Sequence, residues 1–385
     1  MDVQGPAIGP NAGMNTGTGR AVRIAFRADA SVQIGTGHVM RCLTLADALR
    51  ERGAECVFIC RPHTGHLLDL IAQRGHKAAA LPALAADTTQ VRAAPAHSHW
   101  LGTDWASDAE DTRQALGAES VDWLVVDHYA LDARWERTLR QTCQRLMVID
   151  DLADRPHDCD LLLDQNLGRT IENYRDLLIP HATALIGPQY ALLRPEFAQR
   201  RAESLARRAK PQLKQLLITM GGVDKDNATG RVLDALKSCP LPTGLQITVI
   251  MGPHAPWLQD IRAQAAKMDY PTQVLVGVSD MAKLMVESDL AIGAAGGTAW
   301  ERCCLGLPSL ILVLAENQQA GAAALQEAGA AIATQTTTEL QQRLGNYLSP
   351  RDNSTELKSM SIAAAQVTSG KGAFEISEWL MGQHV

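Results

Sequence analysis

The sequence predicts an α/β protein built from two doubly wound, Rossmann-like domains that face one another across a cleft. Strand-like and helix-like stretches alternate from residue 21 onward, and the alternation starts afresh after a charged stretch at 204–212. The strand-like runs are continuously apolar, as in Trp123-Leu124-Val125-Val126, which is the pattern of parallel strands covered on both faces. With 385 residues the chain exceeds one ordinary domain, and 46% hydrophobic but only 4% aromatic residues suit helices packed on parallel sheets.

The first series of expected strands is 22–27, 55–60, 77–81, 121–127, 145–150, 161–163 and 182–186, with helical stretches at 65–74, 108–116 and 133–143. The second series is 213–220, 246–251, 273–276, 290–292 and 309–312, with helices beginning near Asn227, Pro256, Ser279, Thr298 and Gln318. Helical segments at 354–366 and 373–382 close the chain. This divides the sequence into a disordered tail at 1–20, a first domain at 21–200, a linker within 204–212 and a second domain at 211–385. Ligands of such sheets bind outside the carboxyl ends of the strands, so the cleft is the expected site.

Composition narrows the function. A net charge of -6 leaves no basic footprint for nucleic acid, so any anionic ligand must be held by local groups. The eight cysteines form no CxxC pair, and Cys56 and Cys60 on one strand would stand about 13 Å apart, beyond disulfide reach. Reduced thiols in a cytoplasmic protein are expected. The first twenty residues lack the basic and apolar regions of a secretory signal, and no run of about 18 apolar residues would span a membrane.

The most informative stretch is Ile34-Gly35-Thr36-Gly37-His38-Val39-Met40-Arg41, between the first strand and a helical pattern. Gly35 and Gly37 allow close backbone approach, and a helix N-terminus favours an anionic group while disfavouring imidazolium. The expectation is that His38 is a general base beside a phosphate-bearing substrate; the competing reading is a tight turn whose histidine caps the helix. Asp29 and Arg41 flank the histidine and either orient it, bind substrate, or form a surface ion pair. Tyr129 either contacts substrate or packs. Asp150 and Asp151 read either as paired carboxylates or as a structural turn network with Asp154 and Arg155. His63 and His66 read as structural or substrate-gating, and the basic residues at 200, 201, 207, 208 and 210 as a solvated helix face.

In the second domain, Gly221 and Gly222 follow a strand and suit a backbone cradle for phosphate. After the strand at 290–292, Gly296 and Gly297 permit approach to a diphosphate, Thr298 can cap the next helix, and Glu301 either reaches a sugar hydroxyl pair or merely favours the helix start. Asn317 either points an amide into the cleft or caps a helix.

The run Gly296-Gly297-Thr298, Glu301, Gly306, Pro308, a strand and then Asn317-Gln318 resembles the nucleotide-binding half of the GT-B fold, as in inverting glycosyltransferases of the MurG kind. The first half is more specific. Phe26-Arg27-Ala28-Asp29, Gln33-Ile34-Gly35-Thr36-Gly37-His38, Arg41, Asp127-His128-Tyr129, Ile149-Asp150-Asp151-Leu152-Ala153, Leu163-Asp164-Gln165-Asn166 and 190–197 together resemble the UDP-2,4-diacetamido-2,4,6-trideoxy-β-L-altropyranose hydrolases of pseudaminic acid biosynthesis, over roughly 21 to 375. That resemblance implies release of UDP by water attack at the anomeric carbon with inversion, without metal or other cofactor, His38 activating the water. It implies Gly221, Gly222, Gly296, Gly297, Thr298, Glu301 and Asn317 on the nucleotide side, while Asp29, Gly35, Gly37, Arg41 and Tyr129, by their place around His38, are the substrate-side candidates. Val223 departs from the serine expected after the paired glycines. The expected partners are a UDP-sugar and water, with neither nucleic acid nor membrane, and the protein is expected to be a monomer. An inverting UDP-sugar-dependent glycosyltransferase is the rival reading.

Overall fold

The computed structural model describes residues 20–83, 95–347 and 354–382; all of the expected tail but Arg20 lies outside the described residues. The first sheet contains β1 (Arg23–Ala28), β2 (Glu55–Cys60), β3 (Lys77–Ala80), β4 (Val121–Asp127), β5 (Cys143–Ile149), β6 (Leu161–Asp164) and β7 (Thr183–Ile186). The second contains β8 (Gln215–Thr219), β9 (Gln246–Met251), β10 (Thr272–Val276), β11 (Leu290–Ala294), β12 (Ser309–Leu312) and β13 (Ile332–Thr334).

All pairings are parallel, and the two orders share one plan: β3-β2-β1-β4-β5-β6-β7 and β10-β9-β8-β11-β12-β13. In each sheet the order reverses beside the first strand of the series, between β1 and β4 and between β8 and β11. Loops leaving those strands therefore diverge and open a crevice at the sheet's carboxyl edge. β4 is buried along its whole length, which explains its unbroken apolar run.

The helices, in order, are α1 (Gly37–Glu51), α2 (Leu68–Gln73), α3 (Trp105–Leu116), α4 (Ala133–Leu139), α5 (Pro195–Arg208), α6 (Ala228–Lys237) and α7 (Leu258–Ala265). They continue with α8 (Met281–Glu287), α9 (Thr298–Cys304), α10 (Gln319–Glu327), α11 (Thr337–Tyr347), α12 (Ser354–Val367) and α13 (Gly372–Gly382). Strand β13 and helix α11 were not anticipated.

The expected linker is different in kind. Pro195 at the first helical position starts α5, which runs through Arg208, and its arginines are not a solvated face. Arg208 is 6% exposed and donates to the Met285 and Ser288 carbonyls at 2.8 and 3.1 Å. Arg201 donates to the carbonyls of Cys304, Ala365 and Thr368. These carbonyls lie at the carboxyl ends of α8, α9 and α12, where helices leave acceptors unsatisfied and where positive charge is favoured.

The chain crosses between the sheets twice. Helix α5 leaves the first series and packs on α8, α9 and α12, while α13 returns to lie against α1. Ile376 and Leu380 of α13 are fully buried in one core with Ile24, Phe26 and Leu45, and Trp123 Nε1 donates to the Leu380 carbonyl at 3.2 Å. The eight cysteines are all free and buried. No described helix is long and apolar enough to cross a membrane.

Candidate active site

The reversal point of the first sheet concentrates side-chain chemistry. Asp127 ends β4 opposite Ala28 of β1, and the chain leaving β1 returns at once as α1 with His38 in its first turn. Gly35 makes this return possible. Its φ of 84° lies in the left-handed region, and its N–H donates to the Ser31 carbonyl at 2.8 Å. Ser31 Oγ accepts from the Gln33 and Ile34 N–H groups, closing the loop. Gly37 has open space where a Cβ would stand.

His38 Nδ1 lies 2.6 Å from Asp127 Oδ1. In a neutral imidazole that contact puts the proton on Nδ1 and leaves the Nε2 lone pair free to accept one. Arg41, one helical turn on, donates through Nε to Asp127 Oδ2 and through Nη2 to Oδ1, each at 2.6 Å, and through Nη1 to Asp151 Oδ2 at 2.6 Å. Tyr129 OH donates to the same Asp151 oxygen at 2.8 Å. Burial pushes the Asp127 carboxyl up, but the Arg41 and His38 charges outweigh it and hold it well below the usual carboxylate range. Asp127 therefore stays ionised as a pure acceptor. The helix N-terminus alone does not govern His38, as the sequence reading assumed; a fully buried carboxylate faces it directly.

Arg41 and Tyr129 thus join His38 in one network, whereas Asp29 does not. Asp29 is fully buried in another cluster, accepting from Arg27 Nη1 at 2.6 Å and from the Arg61 backbone at 2.7 Å. His128 Nε2 and His63 Nε2 stand 3.3 and 3.6 Å from its second oxygen. Its carboxylate ties the root of the loop to the end of β2 and meets that scaffold instead of His38. His66 is on the surface, where its Nδ1 accepts from the Leu68 N–H. The adjacent aspartates divide: Asp150 is structural, bound by Arg155, Tyr174 and the Ala153 N–H, while Asp151 belongs to the His38 network.

Sequence reasoning missed Asp127 as a partner of His38, and it missed Trp100 and His97. The Trp100 ring stacks on Tyr129 with centroids 5.6 Å apart, and Tyr129 meets His38 edge-on at 4.6 Å. An acidic residue ending the strand adjacent to β1 was the one available signal for Asp127.

The second sheet's reversal point is built mainly of backbone. A Cβ placed on Gly222 would stand 3.4 Å from Thr36 Oγ1, so the paired-glycine loop after β8 faces the His38 turn. The N-terminus of α6 is occupied: Asp224 accepts from the Ala228 and Thr229 N–H groups at 2.8 and 2.9 Å. After β11, Gly296 and Gly297 have open space at their Cβ positions. Thr298 is not the cap; Gly297 occupies that position, and Thr298 Oγ1 instead accepts from Arg302 Nη1 at 3.2 Å. Buried Arg302, also missed, pins the loop by donating to the Ala294 carbonyl at 2.8 Å.

Glu301 faces Arg194 at 3.7 Å, and burial pushes its carboxyl up to about 7 against the pull of Arg194 and Arg302. Asn317 sits exposed in a short 3-10 turn before α10, with Gln318 at the cap position, so it is not a helix cap. Among the described residues, no cluster of three or more His, Cys, Asp or Glu side chains could hold a metal ion.

Two Rossmann-like units whose reversal-point loops face each other define the GT-B fold. Residues 216–375 match the glycosyltransferase family 28 C-terminal domain. The chain is 25% identical over 218 residues to MJ1062, an uncharacterized protein of Methanocaldococcus jannaschii, a match spanning 55% of this chain and 44% of that one. It is 30% identical over 123 residues to the spore coat polysaccharide biosynthesis protein SpsG of Bacillus subtilis, spanning 32% of this chain and 36% of that one. The chain thus spans less than half the length of these two relatives. It is 24% identical over 212 residues to the UDP-2,4-diacetamido-2,4,6-trideoxy-beta-L-altropyranose hydrolase of Campylobacter jejuni, spanning 55% of this chain and 73% of that one. Among solved structures, MurG of Acinetobacter baumannii has a TM-score of 0.64 at 18% identity, covering 94% of this chain and 99% of that one.

Proposed function

We propose that this chain is a hydrolase releasing UDP from UDP-2,4-diacetamido-2,4,6-trideoxy-β-L-altropyranose, by attack of water on the anomeric carbon with inversion. The observation that carries the reading is the His38–Asp127 pair, 2.6 Å apart at the reversal point of one sheet and facing the glycine loop of the other. His38 Nε2 takes the proton of the attacking water, Asp127 holds the imidazole and stabilises the imidazolium that forms, and Arg41 keeps Asp127 ionised. The glycine loops at 221–222 and 296–297 receive the leaving diphosphate through backbone N–H groups, and Glu301 with Asn317 serves the nucleoside side.

The Campylobacter jejuni relative supports the choice of substrate, and the near-enclosure of His38, 8% exposed, favours a nucleophile as small as water. The test is turnover of that UDP-sugar in ¹⁸O-water by wild type and His38→Ala. Label on the sugar's anomeric oxygen, lost in a variant that still binds UDP, is expected. Label in UDP would move the attack to phosphorus. UDP release only after a second sugar or lipid is added would replace the hydrolase with a glycosyltransferase.

A further inference from the structure

Any sugar or alcohol hydroxyl that reaches an activated anomeric carbon beside a general base competes with water. A hydrolase with a glycosyltransferase's architecture must therefore keep other hydroxyls from its base. The described chain holds a cluster of rings where such an exclusion is needed. Tyr129 meets the His38 imidazole edge-on at 4.6 Å, and Trp100 meets it edge-on at 6.5 Å. His97 lies 4.5 Å from the Trp100 ring and 5.4 Å from Tyr129. Together these leave His38 8% and Tyr129 7% exposed.

The cluster is fixed by the fold. Tyr129 is held by its hydrogen bond to Asp151 and by the Arg155 guanidinium 5.9 Å from its ring centroid. Trp100 and His97 ride on the 3-10 turn Ser98–Trp100, closed by the Trp100 N–H donating to the His97 carbonyl at 2.9 Å. The turn is anchored on one side by Leu101, 1% exposed in the core, and runs into α3, whose first N–H groups Asp104 caps. Burial pulls the His97 imidazole below its usual range against the Asp154 charge, so the cap stays uncharged near neutral pH.

We propose that Trp100, with His97 and Tyr129, forms an aromatic cap over His38 that determines specificity for water over larger alcohols. The inference rests on the hydrolase reading and adds the element that separates hydrolysis from transfer. The excluded reaction is defined: an alcohol would give its proton to His38 Nε2 as its oxygen bonds to the anomeric carbon. The carbon–oxygen bond to the diphosphate would break with its electron pair leaving on UDP, yielding an alkyl glycoside.

The experiment supplies the UDP-sugar in buffer containing methanol, ethanol or propanol at equal molarity, and measures UDP, free sugar and alkyl glycoside for wild type, Trp100→Ala and Trp100→Phe. Wild type is expected to give mainly free sugar, with the glycoside yield falling steeply from methanol to propanol. In Trp100→Ala the ratio of ethyl glycoside to free sugar should rise about tenfold or more, while Trp100→Phe stays within about twofold of wild type. An unchanged ratio in Trp100→Ala, or a wild type that takes propanol as readily as methanol, overturns the cap; the alcohol series in wild type decides this even if Trp100→Ala does not fold. Absence of any UDP release by wild type would instead overturn the hydrolase reading beneath it.

Discussion

The two sheets share one strand order, yet their reversal points are made of opposite materials. At the first, five side chains interlock: His38, Asp127, Arg41, Asp151 and Tyr129 meet through hydrogen bonds of 2.6 to 2.8 Å. At the second, the glycine pairs at 221–222 and 296–297 present backbone, with open space at Gly221, Gly296 and Gly297, and Arg302 pins the loop after β11 through the Ala294 carbonyl. Proton transfer depends on the aim and ionisation of one atom, which only crossed side-chain contacts fix. A diphosphate carries spread charge and is met by several N–H groups at once, which a side chain would obstruct. The carboxylates at the two points differ accordingly: Asp127 is held ionised, whereas Glu301 is pushed up to about 7.

The proposed division of labour puts the largest effect at the first site. His38→Ala should lower kcat by roughly 10³–10⁴ with the UDP dissociation constant within about twofold of wild type, read by UDP release and calorimetry. Asp127→Asn keeps the shape but alters which imidazole nitrogen carries the proton, and should cost about 10²–10³ in kcat, again with little change in UDP affinity. A loss of UDP binding in either variant would erase the distinction between the two sites.

The second site should respond in the opposite way. Gly297 has helical backbone angles and space for a Cβ, so Gly297→Ala should leave the melting temperature steady or up by about 1–3 °C. It should weaken UDP binding about tenfold, or about 1.4 kcal/mol, by filling room proposed for the diphosphate. Gly252 is the contrast, since a Cβ there would stand 1.9 Å from the Gly222 carbonyl oxygen and disrupt the fold.

The smallest effect is a difference of sign with pH. Glu301 has a raised folded value, so its stabilising contribution is complete below the ordinary 4.5 and is lost as pH rises through about 7. Asp127 has a depressed value, so its contribution is present above the ordinary 3.8 and is lost as pH falls through its lower folded value. Urea unfolding at pH 5 and pH 8 should therefore show Glu301→Gln gaining on wild type at the higher pH. The gain should be about 1 kcal/mol, less than the full shift implies, because the Glu301 side chain is still 16% exposed.

The strands were largely legible because a doubly covered parallel strand needs an unbroken apolar run; the expected bounds of β2, β4, β9 and β12 coincide with those observed. Strand β13 has three residues and one neighbour, too few to show a period. Helix α5 was misread because arginine density resembles a solvated face, and only the folded chain reveals that the guanidinium groups end on carbonyls of other helices. The His38 turn was legible from its glycines. Its partner was not, because Asp127 lies 89 residues away and meets His38 only once β4 pairs with β1. Asp29 does not orient His38, for the converse reason: proximity in sequence suggested a contact that the buried Arg27 and Arg61 pre-empt.

The return of α13 makes the first Rossmann unit discontinuous in sequence. A fragment cut at residue 200 would keep every strand of its sheet yet lose Ile376 and Leu380 from its core and the indole of Trp379 from beside Trp123. Such a half should be sticky and poorly folded on its own, and should be rescued by a peptide carrying residues 372–382. Modular dissection or domain exchange in this protein must therefore move the first half as two pieces of chain, with the last helix counted among its parts.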